Sequence, residues 1–299
     1  MTVVSRRSFV KTAAACAAMW RAGDALANPL GLPVGLQLYS VRDRLPKDYE
    51  GTLRQLAAIG YQEVEAAGFF GHSAADVKKA MDQAGLRCVS AHYGMPDLKT
   101  KLDDIIQFGK ELGLKYVVCS VPMSPHPQQG HGKNWEESIK AMSKADWKWN
   151  ADQLNQIGEK TRAAGIQTGY HNHFLEFYKH DGFMGYDILL QATDPKLVTM
   201  EMDCGWVVVG GQRPETYFRR YPERFSMLHA KQFKLQGWKP GTEPVPTEMG
   251  SGSIDYKSIF AAAKHTSVRH IFIEQEGYPD MPEMQALKAD ADFLKAFPA

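Results

Sequence analysis

Eight short apolar runs alternate with amphipathic stretches along the chain, and no other feature constrains its fold as tightly. The runs are Val34–Tyr39, Gln62–Ala66, Arg87–His92, Tyr116–Val121, Ile166–His173, Val198–Met202, Ser226–Lys231 and His270–Gln275. Their length and β-branched content suit strands covered on both faces. Between them, Tyr49–Ile59, Ala74–Ala84, Leu98–Leu112, Trp135–Ala164, Tyr186–Ala192, Pro214–Tyr221, Tyr256–Lys264 and Glu283–Phe297 read as helices with one apolar face. Gly60, Gly85, Gly113 and Gly165 stand between a helix and the next strand, where a left-handed helix end is wanted. Unbroken β–α repetition of this kind predicts an α/β fold of one domain, a closed parallel (β/α)8 barrel, for which about 250 residues is usual.

Residues 1–27 stand outside that pattern. Ser5-Arg6-Arg7-Ser8-Phe9-Val10-Lys11 reads as a twin-arginine export motif, Thr12 to Trp20 as its short apolar core, and Ala25-Leu26-Ala27 as a small-x-small cleavage site. The expected layout is a signal peptide over 1–27 and the barrel over 28–299, with the mature protein in the periplasm and off the membrane. The bland alternative is an amphipathic N-terminal helix. With Cys16 removed, Cys88, Cys119 and Cys204 remain, and an odd number cannot pair fully within one chain. Cys88 and Cys119 lie in apolar runs and read as buried fillers; with no C-x-x-C, a thiolate zinc site is not indicated. A net charge of +1, with no basic run longer than two residues, argues against nucleic acid as a partner. A homo-oligomer is allowed, and nothing in the residues decides it.

In a barrel of this kind the chemistry sits at the C-terminal ends of the strands. Those ends carry Gln37 and Tyr39, Glu63 and Glu65, His92, Ser120, His171 and His173, Glu201 and Asp203, His229 and Lys231, and Glu274 and Glu276. Residues two apart share a face of a strand, so each pair can point inward together. Glu176, Asp203, His229 and Glu274 make a mixed carboxylate–imidazole set suited to a divalent cation with positions left open for substrate oxygens. For each residue singly, a hydrogen-bonded strand end is an equal reading; their recurrence at successive strand ends favours the metal. In MDCGW the glycine is expected to permit a tight turn away from the strand. Two long insertions, Pro122 to Asn150 with Trp135, Trp147 and Trp149, and Lys234 to Ser253, read as substrate walls or as packed surface excursions.

These motifs resemble the xylose isomerase-like TIM barrel superfamily of sugar isomerases, epimerases, inosose dehydratases and endonuclease IV. GLQLYSVRD and IGYQEVEAAGFFG resemble its first two strands. DCGW resembles D-x-G-H with Trp206 in place of His, HAKQF resembles H-x-K-D, and GSGSIDY resembles G-x-G-x-I-D-Y. The resemblance implies a Glu-Asp-His-Glu site for manganese, cobalt, zinc or magnesium. It also exposes a departure, because many members have Glu where this chain has His171. Either His171 substitutes directly or Glu176 fills that corner, and Glu176 is the choice that retains three carboxylates.

The expected reaction starts by removing a proton next to the carbonyl of a keto sugar, with His171, His173 or Glu276 as base and Lys231 stabilising the enediolate oxygen. Gln37, Glu65 and His92 would hydrogen-bond the sugar, and Tyr39 and Trp206 would stack on it. Isomerisation or epimerisation leads. β-Elimination on a 3-keto glycoside or inosose at the same site is the close rival, and a non-catalytic carbohydrate-binding barrel the second class. Endonuclease-like cleavage would need more strand-end histidines and a basic groove than the residues suggest. No G-x-S-x-G elbow and no G-x-G-x-x-G after the first strand is present.

Overall fold

Parallel pairing passes from strand to strand without a gap until the sheet closes on itself. The barrel strands are β1 (Val34–Gln37), β2 (Glu63–Ala66), β3 (Arg87–Gly94), β4 (Tyr116–Val121), β5 (Gln167–His171), β6 (Val198–Asp203), β7 (Phe225–Ala230) and, after two short outer strands, β10 (His270–Ile273). Their order around the barrel is β1-β10-β7-β6-β5-β4-β3-β2, closing back on β1. This is a computed structural model; it describes residues 28–126, 135–179, 181–240 and 242–297. The export motif and cleavage site therefore lie outside the described residues.

The helices are α1 (Tyr49–Ile59), α2 (Ala74–Ala84), α3 (Met95–Thr100), α4 (Leu102–Leu112), α5 (Trp135–Lys140), α6 (Lys144–Ala163), α7 (Gly185–Ala192), α8 (Cys204–Val209), α9 (Pro214–Arg220), α10 (Tyr256–Ala263) and α11 (Glu283–Ala296). Gly60, Gly85 and Gly113 cap α1, α2 and α4 in the left-handed conformation. Two expected helices are split. The Leu98–Leu112 segment breaks at Lys101, whose ψ of 19° leaves the helical range, and the first piece starts earlier, around Pro96. Trp135–Ala164 is interrupted because Ser143 forms a capping box with Asp146 and so starts a new helix. Two features went unforeseen: α8, and the antiparallel pair β8 (Gln232–Lys234) with β9 (Val245–Thr247) inside the second long loop.

The barrel interior is apolar at one level only. Val89, Val118, Met227 and Phe272 form a buried cluster of their own there, separate from the large core between strands and helices. One inward step further toward the C-terminal ends, the same strands present polar groups, and that step is where the chemistry collects. Cys88, Cys119 and Cys204 are all buried and unpaired. No helix among the described residues is long and apolar enough to cross a membrane.

Candidate active site

Alternation along β5, β6, β7 and β10 brings His171, Asp203, His229 and Glu274 to one point. One ligand atom from each lies within 4.8 Å of all the others. Donors about 2.1 Å from a tetrahedral zinc lie about 3.4 Å from one another, so the set would have to draw inward to share one ion. Asp203 is also the N-cap of α8: its Oδ1 accepts from the Trp206 amide at 2.8 Å. Its other oxygen, Oδ2, faces the Lys231 ammonium at 3.1 Å. Asn172 fixes the Asp203 backbone by a reciprocal pair of bonds, each 3.2 Å.

His229 is gripped at both ring nitrogens. Nδ1 lies 2.9 Å from Glu274 Oε2 and 3.9 Å from Asp203 Oδ2, while Nε2 lies 2.7 Å from Glu65 Oε1 and 3.3 Å from Glu201 Oε2. Nδ1 is thus the nitrogen that faces the cluster, and Glu65 behind it sets the ring's orientation. Glu201 lies one inward step below Asp203 and ties His92 (2.7 Å) to His171 (3.1 Å). His92, His171, Glu201 and His229 form a second close group, sharing two imidazoles with the first. The four strand-end histidines His92, His171, His173 and His229 all meet here.

Two expectations are corrected by these contacts. Glu176 belongs to neither close group. It sits in a short 3-10 turn, fully buried, with Oε1 accepting from the Tyr170 hydroxyl (2.9 Å) and the His173 amide (3.1 Å). His171 occupies the corner intended for it. Gln37 and Glu65 do not face a sugar either. Gln37 donates to Glu65 at 2.7 Å and accepts from the Tyr39 amide, and Glu65 is consumed by His92, His229, Gln37 and Ser90. Both form the layer beneath the cluster. MDCGW does turn tightly, passing from β6 straight into α8, with Gly205 outside the left-handed conformation. A Cβ there would come within 2.9 Å of the Lys231 carbonyl and 3.0 Å of its Cβ, so the glycine also makes room for the chain just beyond β7.

Lys231 is almost fully buried, with its ammonium 3.1 Å from Asp203, 3.0 Å from Glu274 and 2.5 Å from Glu276. Tyr256 holds its backbone, accepting from the Lys231 amide at 2.6 Å and donating to its carbonyl at 2.7 Å. The GSGSIDY segment supplies that tyrosine. Within the same segment Gly252 leaves room for Gln232 Oε1, which a Cβ would approach to 2.3 Å.

Burial and charge pull the titrating groups apart. Burial opposes charging Lys231, yet Asp203, Glu274 and Glu276 hold its pKa above the usual lysine range. Burial also opposes a charged His92, but Glu65 and Glu201 outweigh it and raise the group to about 9. His229 is held well above its ordinary value in the same way, by Glu201, Glu274 and Glu65 against burial. His173 goes the other way: burial, reinforced by Lys231, pulls it to about 3, so it is a neutral imidazole. Burial raises Glu176 to about 7.

Above the cluster opens a cavity of about 950 Å³, with His92, His171, His173, Trp206, Glu274 and Glu276 at its base. Tyr39 stands on its wall. The first long insertion contributes Trp135, while Trp147 is buried against Gly185 and Trp149 lies under Lys99. The second contributes Trp238 and Glu243. A concavity of about 980 Å³ at the opposite barrel end, around Glu63, Arg87 and Arg269, collects none of these groups.

Comparison with known proteins places the chain in a family that includes sugar-modifying enzymes. Residues 53–297 match the family described as "Xylose isomerase-like TIM barrel". An inosose dehydratase of Clostridium beijerinckii is 26% identical over 271 residues, covering 81% of this chain and 87% of that protein. The solved structure of a sugar phosphate isomerase/epimerase from Parabacteroides distasonis is 27% identical, with a TM-score of 0.71 over 93% of this chain and 98% of that one. A barrel from Mycobacterium smegmatis, solved in complex with magnesium, shares the fold at 12% identity and a TM-score of 0.63 over 90% of this chain and 97% of that one.

Proposed function

Since the chain belongs to the xylose isomerase-like TIM barrel family, we propose that it is a divalent-metal-dependent enzyme that removes a proton next to the carbonyl of a keto sugar. The observation that carries this reading is the convergence of His171, Asp203, His229 and Glu274 at the floor of the cavity. Two carboxylates and two imidazoles, backed by Glu65 and Asn172, are a donor set for a hard or borderline cation. When bound, the ion would polarise the carbonyl and acidify the adjacent C–H. Of manganese, cobalt, zinc and magnesium, the two imidazoles suit the first three better than magnesium, which favours oxygen donors.

The residues left free divide the remaining work. Glu276 faces the cavity from beyond β10, one in-phase step above Glu274, and is the base we assign. Lys231 neutralises it at 2.5 Å and orients it. His173 faces the cavity from beyond β5, three places from β10 around the barrel, and its Nδ1 has no protein partner. A neutral imidazole there can hydrogen-bond a sugar hydroxyl on the other side of the ring. Assigning His171 to the metal removes it from the candidate bases. Trp206 and Tyr39 supply apolar faces beside the sugar.

Two outcomes share that first step. Returning the proton gives isomerisation or epimerisation, supported by the Parabacteroides distasonis likeness. Expelling a leaving group gives elimination, supported by the inosose dehydratase relatives. Incubating the metal-loaded protein with keto sugars in deuterium oxide and following products by NMR separates them. Deuterium entering the recovered sugar without loss of water or aglycone indicates isomerase chemistry; an unsaturated product indicates the lyase. Neither exchange nor product across a keto-sugar panel would reject the proposal and favour a binding barrel. The SRRSFVK motif supports export by the twin-arginine route. On that reading, replacing Arg6 and Arg7 with lysine would strand the protein in the cytoplasmic fraction.

A further inference from the structure

Five large apolar side chains are exposed among the described residues: Tyr39, Phe70, Trp135, Tyr178 and Val245. Tyr39, Trp135 and Tyr178 line the cavity above the cation cluster, and Phe70 and Val245 directly adjoin the lining residues Phe69 and Pro244. Among the described residues, three of the five are thus gathered at one mouth rather than scattered, as single surface hydrophobics normally are.

Their placement separates them from the chemistry. Trp135 packs edge-on against His173 at 5.4 Å, and His173 packs against His171 at 5.0 Å, so Trp135 stands two ring contacts away from the cluster. The cavity, at about 950 Å³, lies at the upper end of pockets that enclose drug-sized ligands, about 300–1,000 Å³. A single sugar ring held by its oxygens at the floor leaves the aromatic upper half unfilled. Charge at the rim is mostly paired, with Glu243 a further carboxylate and the Lys140 ammonium 5.6 Å over the Tyr178 ring. Lys101 pairs with Asp97 at 2.9 Å and Lys140 with Glu136 at 3.5 Å, and all four residues line the cavity. A phosphate there would compete with Asp97 and Glu136 for those two ammonium groups.

We propose that this upper half is a second subsite, one that takes the uncharged aglycone ring of a glycoside by stacking on Trp135 and Tyr178. This inference rests on the sugar-enzyme reading above and adds the substrate class: a glycoside with a neutral ring at the anomeric position, in preference to a free or phosphorylated monosaccharide. An aromatic aglycone and a second pyranose both present a flat apolar face of the kind these rings bind.

Isothermal titration of the metal-loaded protein tests it with unoxidised probes that need no turnover: phenyl β-glucoside, cellobiose, glucose and glucose 1-phosphate. At least one glycoside should bind about tenfold more tightly than glucose, as one stacking contact would give. Which glycoside it is tells aryl from sugar aglycones. Trp135→Ala and Tyr178→Ala should each erase most of that preference and leave glucose affinity unchanged. Equal affinities, no measurable binding of any probe, or a preference for the phosphate would overturn the subsite. So would variants that keep the preference and alter only the oligomeric state, which would mark these aromatics as a contact between copies of the chain. Metal content and keto-sugar turnover, read on the same preparations, keep the two claims apart. Lost turnover with a retained glycoside preference counts against the catalytic reading alone.

Discussion

His171 and Glu176 stand on either side of the bend that ends β5, and only His171 reaches the cluster. The sequence could not separate them, because strand phase continues through His173 and says nothing about the 3-10 turn that swings Glu176 back under Tyr170. The account predicts that His171→Ala loses bound metal while Glu176→Gln retains it, as read by metal analysis of the folded variants. Loss of metal from Glu176→Gln alone would reverse the assignment. Glu65 makes a subtler case. Its place at a strand end was legible, but its direction was not: read as a sugar contact, it instead holds His229 Nε2 at 2.7 Å. Glu65→Gln should weaken metal binding by about 10–100-fold with the barrel intact, measured against a competing chelator. Glu201 was legible as a strand end too. The same two-residue phase that selects Asp203 selects it, one step deeper among the imidazoles.

Elements formed where local chemistry agreed with the pattern and shifted where a cap overrode it. The bounds of α1 and α2 match their apolar periodicity, each ending on a left-handed glycine. The long Trp135–Ala164 reading failed at Ser143, whose side chain takes the Asp146 amide. The last helix, α11, carries a buried titratable group with a consequence for stability. Asp290 accepts from the Met249 amide at 2.6 Å, and burial, with Glu248 adding to it, raises its carboxyl to about 7. A raised carboxyl means the folded state holds the proton more tightly than the unfolded chain. Its contribution to stability is therefore present at low pH and is lost as pH rises from the ordinary aspartate range through about 7. Asp290→Asn should flatten that loss and raise Tm relative to the parent at pH 8, by roughly 2–4 °C per kcal/mol recovered. The gap should shrink near pH 4. A gap that widens toward low pH would show that Asp290 is charged and stabilising in the fold.

Over the whole molecule, the eightfold alternation was enough to predict a closed barrel and to point to the correct end of it. It could not show how the two long loops fold over that end. Trp135 and Trp238 come from loops whose geometry is decided by packing rather than by periodicity, and both line the cavity. What unites the levels is a single structural claim: four strand ends hold one divalent cation beneath a sugar-sized opening. The most direct measurement is the metal content of the purified protein beside that of Glu274→Gln, with circular dichroism on both. The account predicts one divalent ion per chain in the parent, and loss of that ion from the variant while the barrel spectrum stays the same. A parent that takes up no ion when dialysed against manganese, cobalt, zinc or magnesium would contradict it, and so would a variant that binds metal as well as the parent.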